Sequence, residues 1–178
     1  MPACEDIVLM AAYNADMNQK VYAAAATLPH EELAADRKAF FGSILNTLCH
    51  IAVADTIWLK RFTHHPAAFP ALAATHDMPM PGALGQPIAD NLPALLALRR
   101  RLDGIISAWA TQVTAADLAQ PFSYARMNGE RYTKPFGGVV LHLFNHQTHH
   151  RGQVSTLLTQ AGVEIGVTDL LAWVPASA

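Results

Sequence analysis

Leu141-His142-Leu143-Phe144-Asn145-His146-Gln147-Thr148-His149-His150-Arg151-Gly152-Gln153 carries four histidines in thirteen residues, and His142, His146 and His150 stand four apart. On an α-helix, residues four apart stack on one face, with Cβ atoms roughly 6 Å from each other. Imidazole nitrogens bind a metal at about 2.0–2.1 Å, a distance at which an i, i+4 pair can converge on one ion. At ~100° per residue, His142, His146, His149, His150 and Gln153 share an arc of about 100°, and Val139 and Leu157 extend that arc one and two turns beyond. The stretch therefore predicts a long amphipathic helix that carries half of a metal site. The helix is expected to start near Pro135, with Thr133 as a candidate cap, and to stop at Gly162.

Three further long helices follow from the 3.6-residue period. The first is expected over about 7–26, broken by Leu28-Pro29. The second is expected over about 37–62, where Ile44, Leu48, Ile51, Trp58, Leu59 and Phe62 form one stripe with Asp55 in its middle. The third is expected over about 93–114, with Asn91 as a cap near its start. Between the second and third lies Thr63–Asn91, rich in Pro, Ala and Met and holding His64, His65 and His76. A connection that long needs a reason. If helices two and three are parallel neighbours, the chain must return a helix length of ~35 Å, which this segment can span. The fold class expected is all-α: an up-down-down-up four-helix bundle with a long crossover between helices two and three. Phe122-Ser123-Tyr124-Ala125 and Arg131-Tyr132-Thr133 flank Met127-Asn128-Gly129-Glu130 and suggest a short hairpin between helices three and four.

At 178 residues, 52% hydrophobic, 15% charged and with net charge −2, the chain is expected to form one domain over 1–178 with a sizeable core. No clustered basic face suggests nucleic acid. Arg99-Arg100-Arg101 is the only basic run and reads as a solvated helix face partly balanced by Asp103. No apolar stretch reaches the ~18–20 residues of a membrane span. The N-terminus lacks the basic region of a secretory peptide, with Glu5 and Asp6 ahead of its first apolar run. Two cysteines, Cys4 and Cys49, make no disulfide framework, so a cytoplasmic protein is expected. Cys49 reads as a packing residue.

A buried imidazole cluster is difficult to satisfy without a metal, a carboxylate or water. His50 is the best third ligand. With helices two and four antiparallel, their midpoints meet and His50 lies level with His146 and His150. Three histidines without a fourth protein ligand leave a position open for water or substrate, the pattern of a catalytic rather than a structural site. Such a metal lowers the pKa of bound water or thiol and polarises a substrate oxygen. Histidine suits Zn, Ni, Fe or Cu, and ligand type alone does not choose. Ligation needs neutral imidazoles, so affinity is expected to fall below about pH 6.5, and retention at pH 5 would favour carboxylate ligands instead.

The chain resembles the DinB-like (damage-inducible, DinB/YfiT-type) family of metal-binding four-helix bundles. The resemblance rests on Tyr13-Asn14, on Phe41-Gly42-Ser43-Ile44 through Leu48-Cys49-His50-Ile51 to Asp55-Thr56-Ile57-Trp58-Leu59, on Asn145-His146 followed by His149-His150-Arg151-Gly152-Gln153, and on Asp169-Leu170-Leu171. It implies a right-handed up-down-down-up bundle, a homodimer, and a metal triad at His50, His146 and His150. Some relatives are transferases or isomerases that use a low-molecular-weight thiol. The leading expectation is a metal-dependent thiol transferase or hydrolase. His142, His149, Asp55, Asn14 and Tyr124 are candidates beside the metal or the substrate, and no catalytic residue is assigned. The alternative is a non-catalytic metal- or ligand-binding stress-response protein. A third reading is a bundle whose histidines satisfy one another with water and bind no metal.

Overall fold

The computed structural model describes residues 2–176. The chain is mostly helical, with one two-stranded sheet among the described residues. The long helices are α1 (Cys4–Ala25), α3 (Ile44–Phe62), α4 (Leu92–Ala110) and α6 (Phe136–Gln160). Short helices α2 (His30–Ala34) and α5 (Ala115–Ala119) precede α3 and the sheet. Among the described residues no helix is long and apolar enough to cross a membrane.

Local chemistry sets the boundaries. Asn91 caps α4, its Oδ1 accepting the Ala94 N–H at 3.0 Å, and Gly162, at φ +80°, ends the run of α6 in the left-handed conformation that glycine adopts without a Cβ clash. Helix two starts at Ile44, not near Arg37 as expected. Gly42 at φ +79° folds 37–42 into a tight turn, closed by the Arg37 N–H on the Gly42 carbonyl at 2.7 Å. Ser43 then caps the helix, accepting the Asn46 N–H at 3.1 Å. Helix three ends at Ala110, and Thr114 instead opens α5 in a reciprocal cap with Asp117. Thr133 does not cap α6. It lies in β2 (Arg131–Pro135), which pairs antiparallel with β1 (Pro121–Ala125) and runs straight into the helix. Gly129, at φ +86°, makes the hairpin turn.

Each long helix packs on two others: α1 against α4 and α6, and α3 against the same pair. Apolar side chains close one end of this arrangement, where Phe62, Trp109, Phe122 and Phe136 meet edge to face or tilted. His65 is buried there against Phe69 and Phe136, its Nδ1 accepting the Ala67 N–H. It is a core histidine. Residues 63–91 are anchored rather than loose. A 3-10 helix, Pro70–Thr75, packs on α3 and α4. Lys60 Nζ donates to the carbonyls of Thr75 (2.8 Å) and Met78 (2.6 Å), while Leu72 and Met78 are buried. The C-terminal segment returns along α1, where Tyr13 donates to the Thr168 carbonyl at 2.7 Å and meets Trp173 edge to face.

Between the four long helices runs a buried polar network. Arg99 is 1% exposed, so the solvated-face reading of the Arg99–Arg101 run fails at its first member; Arg100 and Arg101 are exposed. Arg99 pairs with Asp55 on α3 and, at 3.0 Å, with Asp103. Asn18 donates to Asp103 at 2.9 Å. Arg151 donates to Asn14, to Asn18 (3.3 Å) and to Gln147 (3.4 Å). Asp55 thus faces the bundle interior, where it serves as the counter-ion of Arg99. Asn14 serves Arg151. Neither touches the histidine cluster.

Candidate metal centre

His50 on α3 and His146 and His150 on α6 come together, with all three donor atoms within 4.8 Å of one another. His50 Nε2 lies 3.1 Å from His146 Nε2 and 3.2 Å from His150 Nε2. Three nitrogens each about 2.05 Å from one ion in tetrahedral geometry are separated by about 3.3 Å, so the pairs containing His50 already stand at the required edge length. His50 is placed by its position in mid-α3 and by Phe41, whose ring stacks on it with centroids 3.9 Å apart. The tight turn ahead of Ser43 is what swings Phe41 over the site.

Hydrogen bonds orient two of the rings. His50 Nδ1 lies 3.0 Å from the carbonyl of Leu84, which only accepts, so Nδ1 carries the proton. His150 Nδ1 lies 2.8 Å from Gln153 Oε1, and the amide nitrogen of Gln153 lies 3.2 Å from His149 Nε2. His50 Nε2 is thus left with a bare lone pair, and where His150 Nδ1 is the donor to Gln153 the His150 Nε2 lone pair faces it at 3.2 Å. A divalent cation placed between them would satisfy both lone pairs. Burial lowers the pKa of all three rings below 6.5, and His146, with His150 and His50 adding repulsion, is pushed down to about 3. The donor set fits a divalent transition metal, with outer hydrogen bonds from Leu84 and Gln153 fixing ring orientation, as metal-binding histidines generally require. His146 Nδ1 is buried without a partner.

The remaining sequence candidates fall in three places. His142 and Tyr124 line the cavity beside the cluster without joining it. His142 stands 80° around the helix from His150 and leans on Trp58 instead, with ring centroids 5.3 Å apart. His149 is exposed and meets Gln153 and the edge of His150. Asp55 and Asn14 belong to the interior network. Phe41, Leu84 and Gln153 hold the ligand rings without having been assigned that task from sequence. Phe41 belongs to the Phe41-Gly42-Ser43-Ile44 stretch, and Gln153 lies on the histidine arc. Leu84 acts through its backbone carbonyl, which side-chain patterns do not reveal.

Next to the cluster opens a cavity of about 810 Å³. Its floor is α3 and α6, its lip is the hairpin, and the 63–91 segment contributes Leu84. One edge of the three-histidine cluster, His50 and His146, lines it.

Helical packing around an open three-histidine cluster defines a class: helical proteins able to hold a metal ion on side chains of two facing helices. The chain belongs to the DinB family, whose profile matches residues 1–175. It is similar to protein DinB of Bacillus subtilis (strain 168), 25% identical over 157 residues that cover 88% of this chain and 87% of that protein. No solved structure matches the chain.

The depressed imidazole pKa values revise the expected pH dependence of binding. Protons compete with metal only below each ring's folded-state pKa, and all three lie below the ordinary 6.5. Metal affinity is expected to stay level from about pH 8 through 6.5 and to weaken only further down. Retention at pH 5 is therefore compatible with histidine ligation here. Competition against a chelating dye across this range checks it. A steep fall already between about pH 7 and 6 would reveal imidazoles of ordinary pKa and contradict the buried arrangement.

Proposed function

We propose that this protein is a metal-dependent enzyme, a thiol-dependent transferase or a hydrolase, with Zn, Ni or Fe held by His50, His146 and His150. The observation that carries the metal is the convergence of three imidazole nitrogens within 4.8 Å of one another, with His50 Nε2 3.1 and 3.2 Å from those of His146 and His150. The observation that favours catalysis over sequestration is the large cavity reached by His50 and His146, which gives the open coordination position access to a small molecule. When bound, the metal would activate a thiolate or water and polarise a substrate oxygen. The chain's own residues would orient and desolvate the reactants. Phe41 shields one side of His50, and Trp58, at 9% exposure, and Tyr124 supply an apolar wall.

The same reading includes an up-down-down-up bundle. In support, Phe41 meets His150 while Trp58 meets His142, so α3 runs against α6. Asp55 meets Arg99 while Phe62 meets Trp109, so α4 runs with α3. A cytoplasmic homodimer belongs to the proposal as well; the free thiols of Cys4 and Cys49 suit a reducing compartment.

Elemental analysis of untagged protein, purified without added metal, tests the reading. About one equivalent of a transition metal per chain is expected from one three-ligand site. Turnover in a screen pairing low-molecular-weight thiols with electrophiles, or presenting hydrolysable esters and amides, would then separate enzyme from carrier. Absence of metal even after reconstitution with Zn or Ni would overturn the proposal.

A further inference from the structure

The cavity beside the histidines carries a charge pattern that the metal does not explain. Arg61, Arg126 and Lys134 line it, and no Asp or Glu does. Arg61 is the most constrained of the three. It follows Trp58 by one helical turn on α3, and its guanidinium lies 4.7 Å over the Trp58 ring and 5.5 Å from the Tyr124 ring. Among the described residues neither Arg61 nor Lys134 forms a salt bridge, whereas Arg126 approaches the exposed Glu130 at 3.7 Å. Burial lowers the pKa of Arg61, the cost of a half-buried cation with no fixed anion. A guanidinium stacked on aromatic faces keeps its N–H edge for a planar oxyanion. A second cavity of about 590 Å³ meets the first at Arg61, Tyr124 and Arg126, adds Arg131, and is also without a carboxylate. Arg61 therefore stands where two hollows join, positively charged on both sides.

From the histidines to Arg61 the wall is a row of rings. His146 to His142 is 5.8 Å between centroids, His142 to Trp58 is 5.3 Å, and Arg61 stacks on Trp58. We infer that the cavity takes a small amphipathic anion, its carboxylate or other compact oxyanion held by Arg61 with Arg126 and Lys134 beside it, and its apolar part laid along Trp58 and Tyr124. The inference names the substrate class of the site described above, and rests on that proposed function only for the end of the ligand that reaches the histidines. The cationic end stands on its own residues.

Calorimetric titration of metal-free, full-length protein with 4-phenylbutanoate, 4-phenylbutylphosphonate and the uncharged 4-phenylbutanamide tests it. Removing the metal keeps the anions from binding an ion directly. At least one anion is expected to bind about tenfold or more tightly than the amide, the worth of a charge-assisted hydrogen bond. Which anion binds more tightly distinguishes a carboxylate site from a phosphate-type site. In Arg61→Met the preference is expected to fall to about threefold or less, with the fold intact by circular dichroism. Should that variant unfold, the surface pair Arg126→Gln with Lys134→Gln must reduce the preference instead. Equal binding of anion and amide, no binding of any probe, or an undiminished preference in the variants would overturn the inference. Anion preference in a protein that takes up no metal would leave the subsite standing and refute the metal reading. Stoichiometric metal without the preference would do the reverse.

Discussion

His146→Ala is expected to abolish stoichiometric metal binding, taking the content from about one equivalent per chain to background. A three-histidine site that loses one ligand retains two, so the loss should exceed the ~10–100-fold that removal of an outer hydrogen-bond partner costs. His146 is the most telling position because it stands beside both other rings, 4.9 Å from His50 and 4.3 Å from His150 between centroids. His142→Ala and His149→Ala are the matched controls. Both rings are exposed and outside the convergent set, so metal content should persist. Stability provides a second readout. A ligand present at ~1,000 times its Kd stabilises the folded state by about 4 kcal/mol, roughly 8–16 °C in Tm for a chain of this size. Wild type should show that difference between metal-loaded and chelated samples, and His146→Ala should not. If none of His50→Ala, His146→Ala and His150→Ala loses metal, the ligand assignment is wrong.

The histidine spacing makes the cluster legible in the sequence, because four-residue intervals fix a face independently of what packs on it. Placing His50 needed only the expectation that two helices run antiparallel and meet at mid-length. The Gly129 turn and the Asn91 cap were equally local and equally readable. Arg99 was not. Three consecutive arginines look like a charged surface, and nothing in their own neighbourhood says that the first turns inward. The clue lay on another helix, where Asp55 interrupts an apolar stripe; a carboxylate buried there requires a cation, and Arg99 supplies it. The start of helix two failed differently. The helix expected from about Arg37 begins only at Ile44, because Gly42 takes a left-handed turn and Ser43 caps the helix. The cavity's cationic side was beyond reach because it exists only when the hairpin folds over α3, bringing Tyr124 and Arg126 to Arg61 across more than sixty residues of chain.

The buried pair itself makes the second large prediction. Arg99→Leu is expected to destabilise the protein by about 3–5 kcal/mol, the cost of leaving a buried charge without its partner, or roughly 6–20 °C in Tm. Asp55 is 0% exposed, and burial already pushes its carboxyl up to about 6 against the pull of Arg99. Asp103 leans on the same guanidinium, so removing Arg99 leaves Asp55 without a cation and Asp103 with only the Asn18 amide, whereas Asp55→Leu leaves Arg99 paired with Asp103. The arginine variant should therefore be the less stable of the two. The sign of its pH dependence follows from the raised acid. A carboxyl whose folded pKa exceeds its unfolded value of 3.8 binds more protons folded than unfolded, so stability is highest below that value and is lost as pH rises through the folded pKa. Without Arg99 that loss should extend past pH 6, and the gap between variant and wild type should widen from about pH 5 to about pH 8. The double variant Asp55→Leu with Arg99→Leu replaces the pair by apolar volume and should recover part of the loss, with the remainder falling on Asp103. Urea unfolding of the four proteins at both pH values decides it. Equal stability of Arg99→Leu and wild type would mean that solvent reaches the pair and that the network is not buried between the helices.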